Sequence, residues 1–356
     1  MKKKIPELLD FDDEIVVTDE IRNLFDPEEI KEMTMNKIHQ NEPQASRVRK
    51  PAMVILAAAA AAALTMTAFA AYQFLIADQF GGYFGELTND QAEVMERIGT
   101  GEMPACTANG TTLTPLTAIG DESQCYMKFR LEAPEGTEWP ETEDEWKALH
   151  IFAPTAEDWY SIADENGEDI HVYSEIEWID AAPGDQTVEF IVRFSSDMDS
   201  PAHFNDGKSK ILTIPGIWRE EPDKEYTKLL EGPWSFDIGF YGAAAEVSLD
   251  VDGLPVTCTV DGVEQEEEGV NITLRAMRIS PLALTYTCDF TSPDPNMVPG
   301  PGDIQIVMKD GSTVETLGGQ GSFSDSYFAE QSIIQAPVDL EKVDYIQFGN
   351  QQIKMG

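Results

Sequence analysis

Between Pro51 and Asp78 the chain carries no charged residue, and Arg47, Arg49 and Lys50 stand directly in front of that gap. A helix over 52–77 would be about 39 Å long, and about 30 Å suffices to cross the hydrocarbon core of a bilayer. Inside a soluble protein so long an uncharged helix would need apolar partners on every face. The run is therefore read as one transmembrane helix. The basic residues before it and Asp78 after it place the N-terminus in the cytoplasm and the large C-terminal part outside. Tyr72 and Phe74 suit an aromatic belt at the outer interface.

A cleaved secretory signal is the competing reading, because Ala68, Phe69 and Ala70 form an A-x-A site. Signals begin with a short basic stretch and run to about 30 residues. Here the segment before the apolar run is long, with nine Lys/Arg against twelve Asp/Glu up to Pro51. A retained single-pass anchor in the cell membrane is the better fit.

The formal net charge is −41, and most of it lies outside, where 15 Lys/Arg face 53 Asp/Glu. Such a surface repels nucleic acid and anionic lipid headgroups. The four cysteines, Cys106, Cys125, Cys258 and Cys288, all follow the membrane run, where disulfides are permitted. Pairing within each half would give Cys106–Cys125 and Cys258–Cys288; four buried thiols are the alternative. No cysteine or histidine spacing matches a zinc site.

Residues 1–51 form the cytoplasmic segment. Asp26 can cap a short helix, Pro27 fits its first position and Glu29 sits where a capping-box acid belongs. Ile30, Met33 and Ile38 share one face of it. A helix of about a dozen residues is marginal alone in water and either frays or docks on a partner. Residues 78–104 form a juxtamembrane helical linker, with Val94 and Ile98 four apart before Gly99 and Gly101.

From Cys106 onward the period changes from helical to two. Alternating segments at 126–131, 188–194 and 234–240 read as strands, and 142–149 reads as a short helix. Asn166–Gly167 predicts a tight hairpin, and Asp310–Gly311 another. In the second half, 256–260, 270–279, 283–290, 304–308 and 345–348 read as strands, and the glycines of 318–321 as a flexible loop. The stretch from Gly110, GTTLTPLTAIGDESQCYMKFRLEAPEG, resembles the stretch from Gly269, GVNITLRAMRISPLALTYTCDFTSPDP. The expected architecture is mainly β outside the membrane: two tandem immunoglobulin-like β-sandwiches over 105–250 and 251–356, after one transmembrane helix and a short cytoplasmic helix.

Catalytic signatures are missing from the sequence. There is no H-E-x-x-H, no G-x-S-x-G and no Walker loop, and no cofactor is implied. Asp250, Asp252 and Gly253, and separately Asp164, Asn166 and Asp169, resemble fragments of calcium loops. Neither completes an EF-hand, and turn chemistry accounts for both. An enzyme is not expected.

DPEEIKEMTMNKIH before the membrane, TAFAAY at its end, YFGELTNDQAEVMERIG after it and the closing DLEKVDYIQFGNQQIKM together resemble a family of single-pass proteins of Gram-positive bacteria. Its members have an extracytoplasmic domain of unknown function and a C-terminal immunoglobulin-like domain. They are described as anti-sigma-factor-like and are often encoded beside an extracytoplasmic-function sigma factor. The resemblance implies signal transduction, with the cytoplasmic segment binding a sigma factor through Ile30, Met33 and Ile38, and the outer domains sensing the envelope through a ligand that the sequence does not identify. His39 stands alone in the cytoplasmic segment, so the ligand set of zinc-containing anti-sigma factors is missing. The alternative is a surface-anchored binding or adhesion module in which residues 1–51 only orient insertion.

Overall fold

The computed structural model describes residues 76–152, 160–164, 167, 172–180, 186–196, 204, 208–221, 225–238, 246–257, 259–260, 263–264, 270–292, 300–302 and 304–355. The cytoplasmic helix with Ile30, Met33 and Ile38, almost all of the 52–77 run, and Cys258 lie outside the described residues. Among the described residues no helix is long and apolar enough to cross a membrane. The described chain is mainly β, all of its strand pairs are antiparallel, and it belongs to one compact unit.

Two helices come first, α1 over 76–84 and α2 over Asn89–Ile98. The strands of the first body are β1 Gly99–Thr100, β2 Cys106–Ala108, β3 Thr111–Gly120, β4 Gln124–Glu132, β5 Leu149–His150, β6 Ser161–Ala163, β7 Val172–Asp180, β8 Thr187–Ser196, β9 Lys210–Glu220 and β10 Tyr226–Ile238. A short helix, α3, Glu143–Lys147, precedes β5. One sheet runs β1-β3-β4-β8-β7, with β2 also on β3; the other runs β10-β9-β5, with β6 also on β9. Between them lies one apolar cluster that includes Phe129 and Phe190 of the first sheet and Leu212, Trp234 and Phe236 of the second.

The first sheet is covered on both faces where β4 begins. Cys125, Met127, Phe129 and Leu131 point to the inter-sheet core, while Tyr126 points into a second cluster on the opposite face. Further along that opposite face Lys128 and Arg130 both pair with Glu189, at 2.9 Å and 2.7 Å. This explains why β4 reads as nearly continuous apolar sequence at one end and alternating at the other.

The second body comprises β11 Val247–Leu249, β12 Leu254–Val256, β13 Thr259–Val260, β14 Val263–Glu264, β15 Asn271–Ile279, β16 Ala283–Thr291, β17 Ile304–Met308, β18 Thr313–Phe323, β19 Tyr327–Ile334, β20 Val343–Phe348 and β21 Gln351–Lys354. Instead of two separate sheets it has one path, β11-β15-β16-β19-β18-β17-β20-β21, with β12 also on β15, curled almost closed around a single core. The corner is β18. Its start pairs with β17 and its end with β19.

That corner corrects the expected loop at 318–321. The glycines are inside β18, at a register shift between Leu317 and Gln320. A Cβ on Gly319 would lie 1.7 Å from the Gln331 carbonyl oxygen, so two backbones meet there with no room for a side chain. The expected hairpin at Asn166–Gly167 lies mostly outside the described residues; among those described, Gly167 N donates to Asp164 O at 3.0 Å, β6 pairs with β9 and β7 pairs with β8. The strand expected over 256–260 is divided between β12 and β13.

The faint sequence repeat is a repeat of register. Leu113 faces Leu131 as Ile272 faces Phe290, and Pro115 faces Phe129 as Leu274 faces Cys288. Each hairpin then skips one residue, Leu116 in the first and Arg275 in the second, and each pairing resumes, Thr117 with Lys128 and Ala276 with Thr287. Positions 113 and 272, and 131 and 290, differ by the same 159. The neighbouring strands follow the same order, with β8 beside β4 and β19 beside β16. Both hairpin tips close alike, by Asp121 N to Gln124 O and Ser280 N to Ala283 O, each at 2.9 Å.

Candidate functional site

The two repeated hairpin tips meet, and the segment that follows the apolar run is docked beside them. In α1 the apolar residues Ile76, Ala77, Phe80, Tyr83 and Phe84 recur at helical spacing on one face. Ile76, Ala77 and Phe80 are buried with Val94, Met95 and Ile98 of α2, against Ile119, Tyr126 and Ile191 of the first sheet and Leu282 of the second body. Tyr83, Phe84 and Tyr126 form an edge-on aromatic group with ring centroids 4.9–5.7 Å apart. The last two residues of the uncharged run, Ile76 and Ala77, are thus in a protein core. The stretch 78–104, expected as a linker, is packed into the same place through α2.

Sequence dictates α2 directly. Thr88 and Gln91 form a complete capping box, with Thr88 N donating to Gln91 Oε1 at 2.8 Å and Gln91 N to Thr88 Oγ1 at 3.3 Å. Its buried face carries one acid among apolar residues. Glu96 Oε1 accepts from the amides of Ile76, at 3.0 Å, and Ala77, at 3.4 Å. A carboxylate that accepts from two backbone amides makes charge-assisted hydrogen bonds, stronger than neutral ones. Burial nevertheless outweighs those bonds and, helped by Asp78, pushes Glu96 up to about 7. The polar ends of α2 reach the second body, Asp90 to Lys342 Nζ at 2.6 Å and Arg97 to Asp339 at 3.7 Å.

The tips themselves are joined by a buried polar seam. Asp121 Oδ1 accepts from Ser123 N and Gln124 N, and Oδ2 from Leu282 N, all at 2.8 Å. Gln124 Nε2 donates to Gln331 Oε1 at 2.9 Å, and Ser195 Oγ donates to Gln124 Oε1 at 2.7 Å. Complete burial raises the Asp121 carboxyl above its ordinary value despite these donors. At the rim, burial and the hydrogen-bonded Glu122 push Glu246 up to about 7, against the pull of Arg278, whose Nε is 2.8 Å from Glu246 Oε1. A satisfied buried network of this kind fixes one relative placement of the parts it joins, because any slip leaves amides and carboxyls unpaired in low dielectric.

Hollows open at two places that bear on function. One, of about 550 Å³, lies at the β18 corner, where Glu330 accepts from Tyr286 Oη at 2.7 Å and from Ser332 Oγ at 3.0 Å. The other, of about 410 Å³, lies between Tyr83 of α1, Trp146 of α3 and Trp178 of β7.

The expected Cys106–Cys125 disulfide is not formed. Cys106 sits opposite Leu113, and Cys125 opposite Gly120, seven residues along the same strand, roughly 23 Å at the rise of a strand. A disulfide needs Cα atoms within about 7 Å. Cys288, buried between Leu274 and Phe328, is also a free thiol. Asp252 and Gly253 form the turn before β12, with Gly253 at φ +78°, and among the described residues no group of side chains could hold a metal ion. Neither Glu96 nor Asp121 stands out in the sequence: one is a single acid on an apolar helical stripe, the other an ordinary turn aspartate.

No protein-family model matches the chain, and no curated protein matches it. Among solved structures it is similar to the crystal structure of the conserved domain protein from Bacillus anthracis, at 14% identity over 75% of this chain and 82% of that one, with a TM-score of 0.47.

Proposed function

We propose that the chain is a membrane-anchored regulator of the anti-sigma kind, not an enzyme, whose outer β bodies sense the envelope and whose cytoplasmic segment holds a sigma factor. The observation that supports this most is the place of α1. The helix that follows the apolar run is built into the seam between the two β bodies, so a rearrangement outside would pull on the segment that enters the membrane. With Ile76 and Ala77 in the protein core, the lipid-crossing part is 52–75. That stretch spans about 36 Å as a helix, still enough for a bilayer. The first body, two antiparallel sheets over one core, is read as immunoglobulin-like, and the second as a curled relative built on the same hairpin.

In this reading Ile30, Met33 and Ile38 are the apolar anchors on the sigma factor, docked as a helix in a groove. Met33→Asp with Ile38→Asp should abolish co-purification with the sigma factor encoded nearby, because charges would be buried without partners. A flexible Gly-Ser insertion between residues 75 and 76 should keep that co-purification and remove the transcriptional response to envelope stress. If the double variant and a deletion of residues 2–45 leave both co-purification and transcription unchanged, the protein is a surface-anchored binding module instead.

A further inference from the structure

We propose that the hollow between α1, α3 and the edge strand β7 binds an organic cation, an ammonium group carried on an apolar stem. Two indoles, Trp146 and Trp178, line it. Trp146 and Trp178 meet with ring centroids 5.2 Å apart, and Trp146 stacks in turn on Trp139 at 5.5 Å. The π faces of such rings attract cations, most strongly where water is partly excluded. Ile176 and Ile191 supply apolar surface for a stem. A volume of about 410 Å³ holds a headgroup with several carbons.

The rim is acidic. Glu143, Glu175 and Glu177 line it, against the single cation Lys147. Lys147 Nζ is taken by Glu143 at 2.7 Å, and Glu175 is taken by Arg193 at 2.8 Å. Glu177 forms no ion pair among the described residues, so it is the carboxylate available to an incoming charge. The net charge of −41 draws cations toward the surface and repels anionic competitors. The remaining wall is Tyr83, on α1. A ligand held here touches the first β body and the helix that follows the apolar run, whatever that helix reports to.

The test uses the full-length chain in a maltoside detergent, titrated calorimetrically with choline, with Nα-acetyl-lysine methylamide, and with 3,3-dimethyl-1-butanol, the uncharged shape match of choline. At least one cation should bind saturably, and the neutral alcohol at least tenfold more weakly. Preference for choline assigns a quaternary ammonium; preference for the lysine derivative assigns the primary ammonium of a basic side chain. Trp178→Leu should weaken binding roughly tenfold. Glu177→Gln, on an exposed side chain, should weaken it severalfold, more at low salt than at high. Bound cation should slow hydrogen exchange at amides 80–84. Binding by neither cation, equal binding of the neutral alcohol, or unchanged affinity in Glu177→Gln overturns the proposal. None of these readouts involves a sigma factor, so the regulatory reading stands or falls separately.

Discussion

Asp121 Oδ2 accepts the backbone amide of Leu282 at 2.8 Å, one hairpin tip holding its structural counterpart 161 positions away. The bond is buried, and the same carboxyl also holds Ser123 N and Gln124 N. Asp121→Asn keeps the shape but turns one oxygen into a donor, which would face an amide donor. It should cost about 1–3 kcal/mol of unfolding free energy, the penalty of a buried polar group left unpaired. Urea denaturation measures this. A loss under about 0.5 kcal/mol, the range of surface substitutions, would mean that the seam does not hold the two bodies together.

Acid should tighten the packing around α1. Glu96 and Glu246 are both raised from 4.5 to about 7 in the folded chain. The folded state therefore retains protons that the unfolded chain releases between those values. Their contribution to stability is full below about 4.5 and is lost as the pH rises through about 7. Glu96→Gln keeps an oxygen for the amides of Ile76 and Ala77 and removes the titration. The variant should be more stable than the parent at pH 7.5, and the two should converge near pH 4.5. Parallel urea midpoints across that range would show that Glu96 is not the titrating group.

Local pattern carried much of the β architecture, and long-range pairing carried the rest. The strands at 271–279, 283–291 and 304–308 announce themselves by alternation, and α2 by its cap. The register repeat was visible because both hairpins place apolar residues at matching offsets. A favourable turn dipeptide says how the chain bends, not which strand each arm then meets. At Asn109–Gly110 such a dipeptide makes a two-residue hairpin, both residues at positive φ, joining β2 to β3. The β18 strand was hidden by its glycines, of which Gly319 is required by the backbone contact with Gln331, a partner twelve residues further along the chain. Glu96 and Asp121 gave no local sign, because their importance comes from amides contributed by distant elements.

The cysteines should behave as three separate thiols. Cys125 and Cys288 are buried, which raises Cys125 well above the ordinary range and Cys288 to about 12, so neither presents a thiolate. Cys106 is partly exposed. With Cys258→Ser to simplify counting, the native chain should react rapidly at Cys106 alone and at all three positions in denaturant. Mass spectrometry after alkylation should give the same count with and without reductant. A count of one in the absence of reductant would restore the disulfide between Cys106 and Cys125.

Adjacent glycines at the β18 corner separate backbone contact from mere flexibility. Nothing lies within 4 Å of a Cβ built on Gly318, whereas one on Gly319 would meet Gln331 O at 1.7 Å, its carbonyl carbon at 2.7 Å and Ser332 Cα at 3.0 Å. These are backbone atoms of β19, which cannot move without breaking the ladder to β16, where Thr285 faces Gln331 and Leu284 faces Ser332. Gly318→Ala should therefore change unfolding free energy by no more than about 0.5 kcal/mol, as surface substitutions do. Gly319→Ala should cost upward of about 3 kcal/mol, the scale of overpacking in a rigid core. If the two substitutions prove equal, the glycines serve flexibility, and the continuous path from β19 through β18 to β17 must be redrawn as two sheets joined by a loop.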